Sequence, residues 1–156
     1  MGIFSFRNVD GVLSIGGLPQ YAKDIDSLKE KGISTIVSLE ALDGPIARYA
    51  EKQGLKVVTL SVGRFKEIPN EKINRFLRLA ALAQAREKKI FLHCLQGRDR
   101  TMEMTAAYLI ASRQIPLADK LIREKPLRFF VTRWQKGVQT HFEKTLNRAR
   151  KYPRRH

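Results

Sequence analysis

The chain has 156 residues, 43% hydrophobic and 29% charged, proportions that favour one soluble domain over residues 1–156 with a core of its own. No apolar run approaches the roughly 18–20 residues of a membrane span, so stable membrane insertion is not expected. Thirty Lys and Arg against fifteen Asp and Glu give a net charge of +15, a field that attracts anions such as phosphorylated metabolites, phosphoproteins, RNA or acidic membrane surfaces.

In chain order, "GVLSIGG" (11–17) reads as a short strand closed by glycines. "QYAKDIDSLKEKG" (20–32) reads as an amphipathic helix with Gly32 at its C-terminal end. "ISTIVSL" (33–39) is apolar and β-branched, as a buried strand should be. "GPIARYAEKQG" (44–54) suits a helix with Pro45 near its first turn. "LKVVTLSV" (55–62) is a further strand, and "GRFKEIP" (63–69) a loop. Asn70 is positioned to cap a helix over 71–87, whose Ile73, Phe76, Leu77 and Ala80 share one face.

"KIFLHC" (89–94) is an apolar strand, a helix starts near Thr101, Pro116 starts a shorter one, and Pro126 breaks the chain again. Phe130, Val131, Trp134, Val138 and Phe142 recur at helical spacing and read as core packing. The basic segment 147–156 reads either as a flexible, solvated tail or as a functional anion patch. The alternation of strands and helices implies an α/β domain with a central, mainly parallel sheet flanked by helices.

Cys94 is the only cysteine, which excludes an internal disulfide and favours a reducing cytoplasm. "MGIFSFRNVD" lacks the layout of a signal peptide. His93, His141 and His156 lie far apart, so no metal site and no cofactor is expected. Ligands of open α/β sheets bind beyond the carboxyl ends of the strands, where Cys94 falls. The loop "LQGRD" (95–99) can turn backbone N–H groups towards an anion, and the next helix adds its positive end. Gly97 permits a backbone that a side chain disfavours, and Arg100 offers a planar fork for two phosphoryl oxygens. A thiol beside these groups is acidified, which makes covalent phosphoryl transfer the expected chemistry.

His93-Cys94, five residues, then Arg100-Thr101 resembles the HCxxxxxR(S/T) signature of the cysteine-dependent protein tyrosine and dual-specificity phosphatases. "VDGVLSIGGLPQYAKDIDSLKEKGISTIVSLE" is similar to the N-terminal half of small archaeal and atypical dual-specificity members, and "IPNEKINRFLRLA" and "AAYLIAS" to their helices around the signature. The resemblance implies that Cys94 attacks phosphorus. It implies that Leu95, Gln96, Gly97, Arg98, Arg100 and Thr101 form the phosphate site, with Arg100 as the clamp. Thr101 then assists the departing sulfur, while His93 either orients the loop or is simply a satisfied core histidine.

The sequence departs from the family in its general acid. Arg64 stands where the usual loop aspartate is expected, and Glu67 is the only carboxylate of "GRFKEIP". Asp99 is the other candidate, because "GRDRT" resembles the "GKDRT" and "GWDRT" loops of lipid- and inositol-directed members. Asp99 serves either as acid or as a brace for Arg98 and Arg100. Met102 replaces a glycine that commonly follows Arg-Thr. The expected function is a phosphate monoester hydrolase, protein tyrosine or dual-specificity in type. The alternatives are an inositol phosphate or phosphoinositide phosphatase, an RNA 5′-phosphatase, and a non-catalytic phosphate-binding relative. A phosphorylated anionic substrate, with RNA also possible, is the partner expected; the sequence specifies no oligomeric state.

Overall fold

The computed structural model describes residues 2–63, 66, 68–97, 99–124, 147–148 and 150–151. Two compact units divide the chain, the first comprising Met1–Lys66 with Lys88–Thr101, the second Glu67–Glu87 with Met102–His156.

The first unit holds a five-stranded sheet: β1 (Arg7–Asn8), β2 (Leu13–Gly16), β3 (Ile33–Ser38), β4 (Lys56–Thr59) and β5 (Lys89–His93). Their spatial order is β1-β2-β5-β3-β4. β1 pairs antiparallel with β2, and all other pairs are parallel. The sheet is thus the mainly parallel one that the strand–helix alternation implies. The two-residue β1 is too short to leave a periodic signal, and the sequence reading missed it.

Helices α1 (Ala22–Glu30) and α2 (Gly44–Lys52) complete this unit. A nine-residue helix is marginal in water, so packing must hold it. Ile25 and Leu28 of α1 and Ala50 of α2 enter one core with Ile33, Ile36, Leu55 and Phe91. Burying a large apolar side chain of this kind contributes roughly 1.5–3 kcal/mol. Buried Asp24 fixes the start of α1, because its Oδ2 accepts the backbone N–H groups of Gln20 and Tyr21, each at 3.0 Å. Gly32 ends the helix in the left-handed region at φ 83°, donating its N–H to Lys29 O.

The second unit contains α3 (Asn70–Ala85), most of α4 (Asp99–Ala111) and α5 (Ile115–Glu124). The stripe Ile73, Phe76, Leu77 and Ala80 is buried as its spacing predicts. Phe76 meets Tyr108 of α4 edge-on, ring centroids 6.4 Å apart. The expected Asn70 cap is corrected: Pro69, extended at φ −61° and ψ 146°, flanks the helix, and Asn70 is its first residue. Proline's fixed φ and missing N–H suit it to that boundary. The aromatic stripe from Phe130 to Phe142 lies outside the described residues. Of the basic tail, residues 147, 148, 150 and 151 are helical, and its other residues lie outside the description. Among the described residues no helix is long and apolar enough to cross a membrane.

Candidate active site

β5 is the middle strand, and its C-terminal end emerges between those of β2 and β3. His93 is in register with Gly16 on one side and with Ser38 on the other. Cys94 follows immediately and is only 3% exposed. Leu95 and Gln96 are exposed, whereas Gly97 is buried.

The loop is braced from the β2 side. Leu18 N–H donates to Leu95 O at 3.0 Å, and Gly17 N–H to Phe4 O at 2.8 Å. Gly97 adopts φ 72°, and a Cβ there would stand 2.5 Å from Gly16 C and 2.8 Å from Gly17 N. Only a residue without a Cβ lets the loop lie this close to the end of β2. "GG" at the end of the first predicted strand was the available signal for this packing, although its partner was not foreseeable.

From the β3 side, the link is side-chain chemistry. Ser38 Oγ lies 2.6 Å from His93 Nε2, and His93 Nδ1 lies 3.0 Å from Cys94 O. A carbonyl only accepts, so the proton sits on Nδ1 and Ser38 donates to Nε2. His93 is thus both a satisfied core residue and a direct support of the Cys94 peptide. Burial holds its ring at about 4 instead of 6.5, against the raising effects of the Cys94 carbonyl bond and Glu40, while Arg100 lowers it further.

This has a sign. The unfolded chain binds a proton near pH 6.5 that folded His93 takes only near 4, so the stabilisation is complete above 6.5 and declines as pH falls towards 4. A gap of that size corresponds to about 3 kcal/mol. Denaturation midpoints measured between pH 7 and 4 should fall accordingly. The His93 ring protons should titrate near 4 by nuclear magnetic resonance. Titration near 6.5 would contradict the buried arrangement.

Helix α4 begins at Asp99, two residues before the expected start at Thr101, so Arg100 and Thr101 stand in its first turn. A helix start carries N–H groups without helical partners and the positive end of the dipole. Arg100 is 6% exposed, and Thr101 is fully buried. Arg100 Nη1 donates to Val62 O at 2.8 Å, and Nη2 to Glu40 Oε1 at 3.3 Å. Neither partner was singled out by sequence. Both are remote along the chain, so no local pattern could reveal them. Arg64, Glu67 and Arg98 lie outside the described residues, and of Asp99 only its place at the head of α4 is described. Met102 continues α4 without a break.

A thiol at a strand end, a left-handed glycine, a helix start and an anchored guanidinium can together hold a tetrahedral oxyanion against a nucleophile. This fold and motif are those of the cysteine-dependent dual-specificity phosphatase superfamily. More particularly, residues 11–114 match the family described as "Polymorphic toxin system, DSP-PTPase phosphatase", and the chain belongs to it. Solved structures share the fold. Tk-PTP in its active form is 21% identical with a TM-score of 0.68, covering 90% of this chain and 97% of that one. TpbA of P. aeruginosa, as a Cys-to-Ser variant in complex with pTyr, is 18% identical with a TM-score of 0.68, covering 92% and 91%. PTPMT1 in complex with PI(5)P is 15% identical with a TM-score of 0.68, covering 92% and 98%.

Proposed function

We propose that the chain hydrolyses phosphate monoesters through a cysteinyl-phosphate on Cys94, with phosphotyrosine-type protein substrates as its main class. The observation that carries this reading is the buried, doubly anchored guanidinium of Arg100, in the first turn of the helix that follows a strand-end cysteine and its loop. Arg100 and the backbone N–H groups of residues 95–100 cradle the phosphoryl oxygens. The Cys94 thiolate forms the S–P bond as the bond to the leaving oxygen breaks, and that oxygen takes a proton. Water then attacks phosphorus, the S–P bond breaks, and orthophosphate and the thiolate are released, with Thr101 supporting the sulfur. Arg98 meets a further anionic group of the substrate. A reducing cytoplasm keeps the lone thiol active.

A second reading, an inositol phosphate or phosphoinositide substrate, is favoured by the +15 charge and the "GRDRT" loop. The complexes of TpbA with pTyr and of PTPMT1 with PI(5)P bear on the two readings in turn. Purified protein is to be tested on para-nitrophenyl phosphate, phosphotyrosine peptides, inositol phosphates and 5′-triphosphorylated RNA. Phosphotyrosine peptides should give the highest kcat/KM. Preference for an inositol ring or for RNA selects that substrate instead, and binding without turnover of any makes the chain a phosphate-binding relative.

The same panel locates the acid. If Asp99 donates the proton, Asp99→Asn slows poor leaving groups by about 10²–10⁴-fold and spares para-nitrophenyl phosphate, whose leaving group departs largely unaided. Equal loss on every substrate makes Asp99 a brace, and a selective loss confined to Glu67→Gln moves the acid to the "GRFKEIP" loop.

A further inference from the structure

We propose that Phe4, together with Leu95, forms an apolar lip on the β2 side of the phosphate cradle and selects esters whose leaving group is an aromatic ring. The inference rests on the loop from Cys94 to Arg100 being that cradle, as proposed above.

Backbone N–H groups and a guanidinium hold phosphoryl oxygens, which every phosphate monoester carries alike. Discrimination between esters must come from groups beside the cradle that meet the rest of the substrate. Among the described residues the large exposed apolar side chains are Phe4, Tyr21, Leu95 and Leu117. Leu117 belongs to the second unit, and the Tyr21 ring already has Lys23 Nζ 5.4 Å from its centroid. Phe4 and Leu95 remain, 57% and 36% exposed.

These two meet at the end of β2, although they are remote in sequence. Gly17 N–H donates to Phe4 O at 2.8 Å, and Leu18 N–H, next in the chain, to Leu95 O at 3.0 Å. The point that a Cβ on Gly17 would occupy lies 3.2 Å from Phe4 O and 3.1 Å from Leu95 O. Phe4 is thereby strapped beside the residue that follows Cys94.

The strap also explains why the Phe4 ring stays in water. Ile3 and Phe6 pack on the core, and Phe6 stacks on Phe91 with ring centroids 5.8 Å apart. Between them the chain reverses in a tight turn, closed by Phe6 N–H donating to Ile3 O at 3.4 Å, with Ser5 left-handed at φ 54°. That conformation is uncommon for a residue with a side chain. It lets both flanking apolar residues enter the core and leaves Phe4 outside it. A single exposed apolar side chain needs no partner, but two on adjacent backbones at the edge of an anion site make an apolar wall. Phe4 lies ahead of residues 11–114, so the family match does not account for it.

The partner that fits this wall is a flat aryl group attached to the phosphoryl oxygen, because aromatic rings pair offset or edge-on beyond their burial alone. An inositol ring carries hydroxyl groups, which would lose water against phenyl and leucine without gaining a hydrogen bond. The lip therefore favours phosphotyrosine over an inositol phosphate.

Phenylphosphonate and methylphosphonate isolate the ring, since they share the anionic group and differ in the substituent. Their affinities are to be measured by isothermal titration for wild type, Phe4→Ala, Phe4→Leu and Phe4→Tyr, with folding followed by circular dichroism. Wild type should prefer phenylphosphonate. Phe4→Ala should lower that preference about 2–10-fold, the range of one aromatic pair, and leave methylphosphonate unchanged. Phe4→Leu should fall likewise, and Phe4→Tyr, which restores a ring, should match wild type. On a phosphotyrosine peptide the Ala variant should show a raised KM at an unaltered kcat.

Equal weakening of both phosphonates makes Phe4 a brace for the loop and overturns the lip. An unchanged preference in Ala also overturns it and leaves the ring to a docking protein or to no partner. A wild type without any preference does the same. Should Ala fail to fold, Leu against Tyr still decides. A wild type that binds neither phosphonate overturns the cradle itself, whereas binding of both without the expected differences overturns only the role of Phe4.

Discussion

Replacing Cys94 with serine is expected to reduce turnover of every substrate on the order of 10⁶-fold, the loss typical when a covalent nucleophile is removed. A hydroxyl is not ionised near neutral pH, and the neighbourhood that helps a thiolate does little for an alcohol. The cradle should survive. Leu95, Gly97 and Arg100 are held by Leu18, by the Gly16–Gly17 backbone and by Val62 and Glu40, through bonds and packing made by atoms other than the exchanged one. Isothermal titration with phosphate or a phosphotyrosine peptide should therefore give an affinity close to wild type. Rapid-quench experiments should trap phosphate on the wild-type protein alone. Residual hydrolysis within 100-fold of wild type by pure protein would exclude a covalent mechanism at this sulfur (the factor of about 100 being small beside a nucleophile's contribution).

Gly97→Ala is expected to cost about 100-fold in rate without any change in chemical groups. An L-residue in the left-handed region costs roughly 1–2 kcal/mol by itself. The larger problem is space, because the new Cβ would stand 2.5 Å from Gly16 C and 2.7 Å from Gly16 O, which are backbone atoms of β2. Gly16 is in register with His93, so β2 can retreat only by straining its pairing with β5. The loop must move instead, carrying Leu95 and the start of α4 with it. A displacement near 1 Å can cost about 100-fold in rate, and anion binding should weaken alongside kcat. Thermal unfolding should report a modest loss of stability. Activity within a few-fold of wild type would show that the loop has another conformation available in solution.

The sequence made much of this site legible, and the limits have physical causes. Gly97, Arg100 and Thr101 share one short loop with Cys94, so their chemistry is written in contiguous letters. The strands β2, β3 and β5 were found because buried parallel strands read as apolar runs, and each lies within the segment so identified. The helical stripe of α3 was likewise fixed by spacing. Its first turn was misjudged, because the asparagine signal competes with a proline that sets the boundary one residue earlier. What could not be read is everything that reaches the loop across the sheet. Ser38, Glu40, Val62 and Gly16 meet it because β5 inserts between β2 and β3, a consequence of strand order that no local pattern encodes.

That insertion also governs when the site can come into existence. Among the described residues β5 is the last strand in sequence but the middle one in the sheet, so before it arrives β1–β2 and β3–β4 have no ladder between them. Both partners of β5 are distant in sequence, and such contacts form late because loop entropy must be met before they contribute. Refolding should consequently return the anion cradle in one step with closure of the whole sheet, not as an early local fragment. The amides of Ile90 and Leu92, buried in the central strand, should belong to the slowest-exchanging class in a hydrogen-exchange measurement, the one that opens only with global unfolding. Any loss of overall stability thus reaches the cysteine loop undiluted, wherever in the sheet it begins.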